Sequence, residues 1–306
     1  MKSVITILFA CLFVPLSMQA QSFVILKNGD QIPYGKFRVK NKEASIEIKK
    51  PNKTVLPIDE IRYLVTKEGE LRYLKPTRQA NTINGPEYRV MEKIMDGAIS
   101  IYSYTQNFSV GSGQYANNYS ITYYFAENAA SFNEVFNSQL LESSNKTNKE
   151  IFSAYFANDQ KILNELNSEG FRANTKNVLD LVRRYNLNNY DQFNSASTSV
   201  VAEVVLIRNQ QRSENETVSV AVAGQTMTLR NMDMRMLKLR TAALNKLCFS
   251  ANENEHCEII QPSEHIVNYL EVKVKNDGTF SVEPLGITRF QRNLQIIRTA
   301  DIQPAL

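Results

Sequence analysis

The chain has 306 residues, of which 35 are Lys or Arg and 31 are Asp or Glu, so its formal net charge is +4. A bias this small does not favour binding to nucleic acid or to an anionic membrane surface. Hydrophobic residues make up 43% of the chain, which is ordinary for a globular protein and argues against general disorder.

The first 20 residues have the pattern of a secretory signal peptide. Lys2 supplies the positive charge, and the apolar run from Val4 to Leu16 is shorter than the roughly 20 residues of a membrane-spanning helix. We expect cleavage after Ala20, which leaves 34 Lys+Arg (35 less Lys2) against 31 Asp+Glu and a net charge of +3. The protein is therefore expected to be exported, to the periplasm or to the cell surface.

A lipoprotein signal is a competing interpretation of the same segment. Leu8-Phe9-Ala10-Cys11 resembles a lipobox, although Phe9 is bulky for its position and only ten residues precede Cys11. Lipidation would tether the protein to a membrane. No later apolar run approaches the length of about 18 residues that a membrane span needs, so the mature chain is expected to lack a transmembrane segment.

Residues 21–76 are predicted to form a small β-barrel-like module. The turn Lys27-Asn28-Gly29-Asp30 carries the Asn-Gly signature of a tight hairpin, and residues 57–61 have the character of one helical turn. Closure of the strands would remove exposed sheet edges. The five expected strands are Phe23 to Leu26, Lys36 to Val39, Ala44 to Ile48, Arg62 to Thr66 and Leu71 to Leu74.

Residues 77–87 are polar and without periodicity, which is typical of a linker. Residues 88–190 are predicted to form an α+β module with about three helices. Its strands are expected at Met91 to Tyr104, with a turn at Asp96-Gly97, and at Ser120 to Phe125.

The three helices of this module are predicted from caps and periodicity. The first follows the capping-box pattern Thr147-Asn148-Lys149-Glu150, the second starts at Asp159, and the third opens at Asn174 or Thr175. In the third helix the apolar residues recur at i, i+3, i+4 and i+7, which produces one face suited to packing on a small sheet. These residues are Val178, Leu181, Val182 and Tyr185.

Short stretches of the chain resemble uncharacterised secreted, cell-envelope proteins of Bacteroidetes. The N-terminal stretches are Ile25-Leu26-Lys27-Asn28-Gly29-Asp30 and Asp59-Glu60-Ile61, and the central one is Val178 to Asn186. The N-terminal resemblance covers about a fifth of the chain. It implies the N-terminal module and an extracytoplasmic location, and it implies no reaction.

Residues 197–306 are predicted to form a β-sandwich-like module of seven or eight strands. In the strand expected at Ile266 to Lys275, apolar and charged residues alternate, and Pro284 is expected to end the strand that follows. Further strands are expected at Val200 to Ile207, Val218 to Val222, Thr226 to Leu229, Thr279 to Glu283 and Phe290 to Ile297. With the first two modules, this predicts a β-rich α+β protein.

The two cysteines of the mature chain, Cys248 and Cys257, lie on two expected strands joined by a polar loop at Asn252-Glu253. Antiparallel pairing places these cysteines opposite each other, within reach of a disulfide bond, and an oxidising compartment favours that bond. A zinc site that adds His256 and His265 is less favoured, because His256 and Cys257 point to opposite faces of one strand.

Met232, Met234 and Met236 form the sharpest single motif. On one strand they would share a face and could hold a soft ion such as Cu(I). The competing interpretation is a buried strand in which the methionines fill space in the core. Leu237 and Leu239 continue the apolar pattern at odd positions instead of even ones, which predicts a bulge in this strand.

Tyrosines crowd residues 102–124, around the flexible sequence Gly111-Ser112-Gly113. Their aromatic faces and the nearby amides could bind a glycan or a peptide, and the ligand-binding candidates are Tyr102, Tyr104, Tyr115 and Tyr119. Against this, the chain has no Trp, and Tyr is a common strand residue.

No catalytic motif stands out. The chain lacks G-x-S-x-G, a P-loop, G-x-G-x-x-G and H-E-x-x-H, and no carboxylate pair is singled out by its neighbours. We therefore expect an exported, non-catalytic envelope interaction or structural protein with an envelope protein as partner and no cofactor. Binding of a glycan or peptide is the alternative, and copper handling is a further one.

Overall fold

The structure is a computed structural model that describes residues 21–78, 87–110, 117–138, 145–193, 200–210, 217–241, 243–275 and 277–300. Strands account for 53% of it and helices for 22%, so the predicted β-rich α+β class is confirmed. The predicted signal peptide, Cys11 and most of the predicted linker lie outside the described residues.

The chain divides into two compact units. The first contains residues 1–91 and 285–291, and the second contains residues 92–284 and 292–306. The division into three modules drawn from the sequence stays a prediction.

Unit 1 consists mainly of short antiparallel strands. Asn28 and Gly29 form the tight turn between the first two strands, where Gly29 has φ +92° and the Asn28 side-chain oxygen accepts a hydrogen bond from the Asp30 amide. The predicted helical turn is a single 3-10 turn at Ile58–Glu60. The strands are β1 (Ser22–Leu26), β2 (Gln31–Tyr34), β3 (Lys36–Lys40), β4 (Ser45–Lys50), β5 (Thr54–Pro57), β6 (Ile61–Val65), β7 (Leu71–Arg78) and β8 (Glu87–Met95), of which β8 continues into unit 2.

The prediction of a β-barrel-like module is wrong. Among the described residues of unit 1, β3, β4 and β5 form a separate three-stranded sheet, and the other strands follow one another in the order β8-β7-β6-β1-β2 within a longer open sheet. Both sheets contribute side chains to one apolar core. The core residues are Val24, Leu26, Ile46, Ile48, Leu56, Ile58, Ile61 and Leu64.

The first part of unit 2 packs helices on a sheet. The sheet has the order β11-β10-β9-β8, and the helices cover the face that carries Ile101, Ala126 and Phe136. Its further strands are β9 (Ser100–Val110), β10 (Asn117–Glu127) and β11 (Phe132–Asn137). Its helices are α1 (Asn145–Tyr155), α2 (Gln160–Asn167), α3 (Thr175–Asn188) and the single turn α4 (Tyr190–Phe193).

The apolar face and two of the three caps predicted for these helices are confirmed, whereas the predicted capping box that starts at Thr147 lies inside α1. The Asp159 side chain accepts the Ile162 amide at the start of α2, and the Asn174 side chain accepts the Asn177 amide at the start of α3. The four residues of the predicted apolar face of α3 are at most 3% exposed. These residues are Val178, Leu181, Val182 and Tyr185.

The second part of unit 2 is sandwich-like, as the sequence predicted. Two four-stranded sheets, β15-β12-β18-β19 and β14-β13-β16-β17, share one apolar core that includes Val204, Leu247 and Phe249. The strands are β12 (Val201–Arg208), β13 (Thr217–Val222), β14 (Gln225–Arg230), β15 (Asp233–Arg240), β16 (Asn245–Ala251), β17 (Asn254–Ile260), β18 (Asn268–Val274) and β19 (Phe280–Leu285).

Two predictions near the C-terminus are wrong. Residues 290–297, expected as a strand, belong to the helix α5 (Ile287–Ala300), and Pro284 lies inside β19 instead of ending it. Among the described residues, no helix combines the length and the apolar character needed to cross a bilayer.

Candidate functional site on the β9–β10 hairpin

The register of β9 and β10 places three of the four candidate tyrosines on one face of the sheet. Tyr102 pairs with Phe125, Tyr104 with Tyr123, and Tyr119 with Phe108. Successive side chains of a strand point to opposite faces, so these six residues lie on the face opposite the helices. Tyr115 lies outside the described residues.

The aromatic side chains on this face form a group that we call the aromatic strip: Tyr102, Tyr104, Phe108, Tyr119, Tyr123, Phe125 and Phe132. The Tyr104 ring stacks on Tyr123 with centroids 5.0 Å apart and on Phe125 at 5.9 Å. Phe125 in turn stacks on Phe132 at 5.3 Å, and Phe108 stacks on Tyr119 at 5.2 Å. Offset stacking at these separations is favourable, so cross-strand ring pairs stabilise this face.

The two ends of the aromatic strip differ in accessibility. At the inner end, Tyr102 is 4% exposed, its hydroxyl donates to a Glu127 carboxylate oxygen at 2.6 Å, and the Lys93 ammonium lies 5.9 Å from its ring centroid. At the outer end, Tyr119 is 40% exposed. Tyr102 therefore stabilises the fold, whereas Tyr119 can contact a ligand.

The outer end of the hairpin is a two-stranded ribbon. In the register of the described strands, β8 pairs with β9 only at Ile101, Tyr102 and Ser103, and β11 pairs with β10 only from Tyr123 onward. We call residues 106–110 and 117–121 the arm. Within the described residues the two segments of the arm pair with each other and with no third strand.

The face of the hairpin opposite the aromatic strip is polar near the arm. The Thr105 and Thr122 hydroxyls are 2.9 Å apart, and the Ser120 hydroxyl donates to the Asn107 side-chain oxygen at 2.7 Å. The arm thus has one aromatic face and one face of hydroxyl and amide groups. Both faces offer contacts for a partner, the first apolar and the second through hydrogen bonds.

The three methionines do not line up on one strand. Met232 lies in the turn before β15, with φ +54°, and only Met234 and Met236 share a face of the strand. They are 40% and 57% exposed, whereas Leu237 is buried in the core. The expected bulge does not occur, because β15 pairs with β12 without a register shift. Copper binding by this motif stays an untested hypothesis.

The predicted disulfide between Cys248 and Cys257 is confirmed, and the two residues are directly opposite each other on β16 and β17. The alternative zinc set is not assembled, because the two sulfurs are bonded to each other. His256 points to the other face of β17, where its Nε2 lies 2.8 Å from a Glu258 carboxylate oxygen. The same Glu258 oxygen lies 3.1 Å from Nε of Arg183 on α3, so this pair links the helices to the sandwich.

Sequence reasoning missed Phe108, Phe125 and Phe132 as members of the aromatic strip. The signal for Phe108 was present, because Tyr102, Tyr104 and Phe108 share one parity along β9. No such signal existed for Phe132, which joins the aromatic strip only through the pairing of β11 with β10.

Comparison with protein-family models, with curated proteins and with solved structures gives no match. The function therefore has to be inferred from the residues and the geometry of the chain itself.

Proposed function

We propose that this chain is an exported, non-catalytic envelope protein whose arm binds an extended segment of another envelope protein. The observation that carries the proposal is the arm itself, a two-stranded ribbon that pairs with no third strand among the described residues and that carries the stacked Phe108–Tyr119 pair. The N-terminal apolar leader supports export, and a disulfide bond is compatible with an oxidising compartment.

Open strand edges support a partner in extended conformation. An exposed edge presents unpaired backbone N–H and C=O groups, which a third strand can satisfy by strand addition. A two-stranded hairpin is only marginally stable in water, so a third strand would also stabilise the arm. The stacked Phe108 and Tyr119 rings would supply the apolar anchor that such interfaces concentrate in aromatic residues.

Binding of a glycan is the second candidate function, and the aromatic strip favours it. An aromatic face suits a sugar ring, and the stacked Phe108 and Tyr119 rings offer one at the outer end of the aromatic strip. The exposed part of the aromatic strip is limited to its outer end, because Tyr102 and Phe125 are buried. A sugar ring would therefore stack at the outer end of the aromatic strip.

Crosslinking in cells tests the proposal. The tagged chain is crosslinked in its own cells and captured, and the proteins that accompany it are quantified by mass spectrometry. The arm variant is Phe108→Ser with Tyr119→Ser. The matched control is Val201→Ser with Met236→Ser, which removes two exposed apolar side chains from β12 and β15 of the sandwich.

We expect one dominant envelope protein at near-equal amount, lost in the arm variant and retained in the control. A partner that the arm variant retains to the same extent as the wild type contradicts the proposal, and so does the absence of any partner above background. A glycan array with the same variants tests the second candidate. Sugar binding that is lost with Tyr119 would favour it over a protein partner.

A further inference from the structure

The disulfide lies at the accessible surface of an edge hairpin. Cys248 and Cys257 are half-buried, and their Cα atoms are 4.1 Å apart across the β16–β17 ladder. On the opposite face of β16, Leu247 and Phe249 are fully buried in the sandwich core. Pairing continues on both sides, from Asn245 with Ile260 to Ala251 with Asn254. The backbone, and not the disulfide alone, therefore holds the two cysteines opposite each other.

A third metal-ligating side chain lies on the same face. Glu255 is two residues before Cys257 on β17, is exposed, and pairs with Ser250. One Glu255 carboxylate oxygen and the two sulfur atoms all lie within 4.8 Å of one another. Among the described residues, this is the one group of three or more His, Cys, Asp or Glu side chains with ligand atoms this close.

The neighbours of this group on the side of β13 are small. The neighbouring strand β13 places Ala221 opposite Cys248 and Ser219 opposite Ser250. Ala221 is exposed and Ser219 is half-buried. On the side of β13, therefore, small side chains leave room for a reductant and a metal ion to approach the sulfur atoms.

We propose that reduction of the disulfide converts Cys248, Cys257 and Glu255 into a binding site for one thiophilic divalent cation, with Zn²⁺ as the favoured ion. A dithiol supplies the two electrons and two protons: its own sulfurs become a disulfide, the Cys248–Cys257 bond breaks, and two thiols form. Binding of Zn²⁺ then releases the two thiol protons, because the thiolate is the ligand.

The ligand set fits the chemistry of zinc. Thiolate and carboxylate are common zinc ligands, and three protein ligands with a water in the fourth position are the usual composition of an open tetrahedral site. The ladder on both sides of the cysteines keeps the donors together after reduction, which lowers the entropy lost on binding. The disulfide therefore acts as a switch that blocks the site when oxidised and opens it when reduced. The site is independent of the function proposed for the arm.

Cadmium titration tests this inference, because Cd²⁺ bound to thiolates gives an ultraviolet charge-transfer absorption. The chain without residues 1–20 has only these two cysteines, so the signal reports this site alone. The protein is reduced with dithiothreitol, freed of reductant under argon and titrated with Cd²⁺, and Zn²⁺ is then added as competitor. The variants are Cys248→Ser with Cys257→Ser, Glu255→Gln, and the control Glu253→Gln in the adjacent turn.

We expect one Cd²⁺ per reduced chain, displaced by Zn²⁺, and no charge-transfer band in the oxidised chain or the serine variant. Glu255→Gln should weaken binding at least about tenfold, because even the loss of a group hydrogen-bonded to a metal ligand costs about 10- to 100-fold in metal affinity. Glu253→Gln should bind like the wild type. Absence of a band in the reduced protein overturns the inference, and so does equal affinity in Glu255→Gln and the wild type. Circular dichroism of the reduced variants checks that each one remains folded.

Discussion

Asn186 is a buried amide on α3 that holds the turn between β8 and β9. Its side-chain oxygen accepts the Ile99 amide at 2.9 Å, and its nitrogen donates to the carbonyl oxygens of Ile99 and Asp96. Gly97 lies directly against this amide: a Cβ at Gly97 would be 2.2 Å from Asn186 Cγ, and the residue has φ +151°. The turn therefore admits no side chain at position 97.

Gly97→Ala should lower the free energy of unfolding by about 3 kcal/mol, since it combines overpacking with the loss of buried hydrogen bonds. Urea unfolding followed by circular dichroism measures this change. The control is Gly29→Ala, where φ is also positive but no atom lies within 4 Å of the added Cβ. That variant should lose only about 1 kcal/mol, from backbone strain. Equal losses in the two variants would show that contact with Asn186 contributes nothing.

The disulfide should contribute about 2–3 kcal/mol to stability, because it closes a loop with a sequence separation of only 9 residues. Cys248→Ser with Cys257→Ser, compared with the oxidised wild type by urea unfolding, measures this contribution. A loss well below 1 kcal/mol would show that the β16–β17 ladder alone fixes the hairpin. The serine variant and the reduced wild type should have nearly equal stability in the absence of metal.

The disulfide and Asn186 differ in how far the sequence could predict them. Cys248 and Cys257 lie on two strands joined by a short turn, so counting outward from Asn252-Glu253 gives their register. Asn186 is 87 residues from Ile99, and no local pattern connects the two. Local contacts follow from spacing, whereas contacts between distant segments depend on packing that spacing does not encode.

At the scale of elements, α5 shows how residue preference can mislead. Residues 290–297 contain Phe290 and the β-branched pair Ile296 and Ile297, which favoured a strand. The buried positions of the helix recur every three or four residues instead, which is the helical period. These positions are Ile287, Phe290, Asn293 and Ile297. The polar Asn293 interrupts the apolar pattern, and its partner Glu271 on β18 is buried as well.

A pH-dependent ion pair joins two helices that the sequence did predict. Arg184 on α3 donates two hydrogen bonds to Glu165 on α2, at 2.7 and 2.6 Å. The hydrogen bond from Arg184 lowers the pKa of Glu165 below its usual value. The Glu165 carboxylate therefore binds its proton more tightly in the unfolded chain than in the folded chain. The ion pair accordingly stabilises the fold above the unfolded pKa of about 4.3. The stabilisation is lost as the pH falls through the lower folded pKa.

Glu165→Gln should lower the free energy of unfolding at pH 7 by at most about 1 kcal/mol, because both side chains are 40% exposed and solvent screens the pair. The difference from the wild type should shrink toward zero as the pH is lowered through the folded pKa. Urea unfolding at a series of pH values measures it. Glu169→Gln, which removes an exposed carboxylate in the turn after α2, is the matched control for the loss of one surface charge. A Glu165→Gln difference that stays constant with pH would contradict the assignment.

At the scale of the whole molecule, strand patterns predicted the strand-rich class and the sandwich, and failed at the N-terminal module. The alternation of apolar and polar residues along β4 predicted that one face of that strand is buried, but it did not predict which strands pair with it. The strands β2 and β5 were not expected at all, and the pairing of β5 with β4 completes the separate sheet. A count of short strands could not distinguish a closed barrel from two open sheets over one core.

The two compact units contain separate apolar cores, and this predicts separate responses to loss of core volume. Ile48 is 1% exposed in the core of unit 1, and Ile101 is 0% exposed in the core between the sheet and helices of unit 2. Each Ile→Ala change should reduce the stability of its own unit by about 2–5 kcal/mol.

Native-state hydrogen exchange measures this loss segment by segment, because amides report the opening of the cooperative unit to which they belong. With Ile48→Ala, exchange should accelerate in β4 and β6 while amides of α3 and β16 retain wild-type rates. With Ile101→Ala, amides of β10 and α3 should accelerate while those of β4 do not. Equal acceleration of all these amides in both variants would show that the chain unfolds as one cooperative unit.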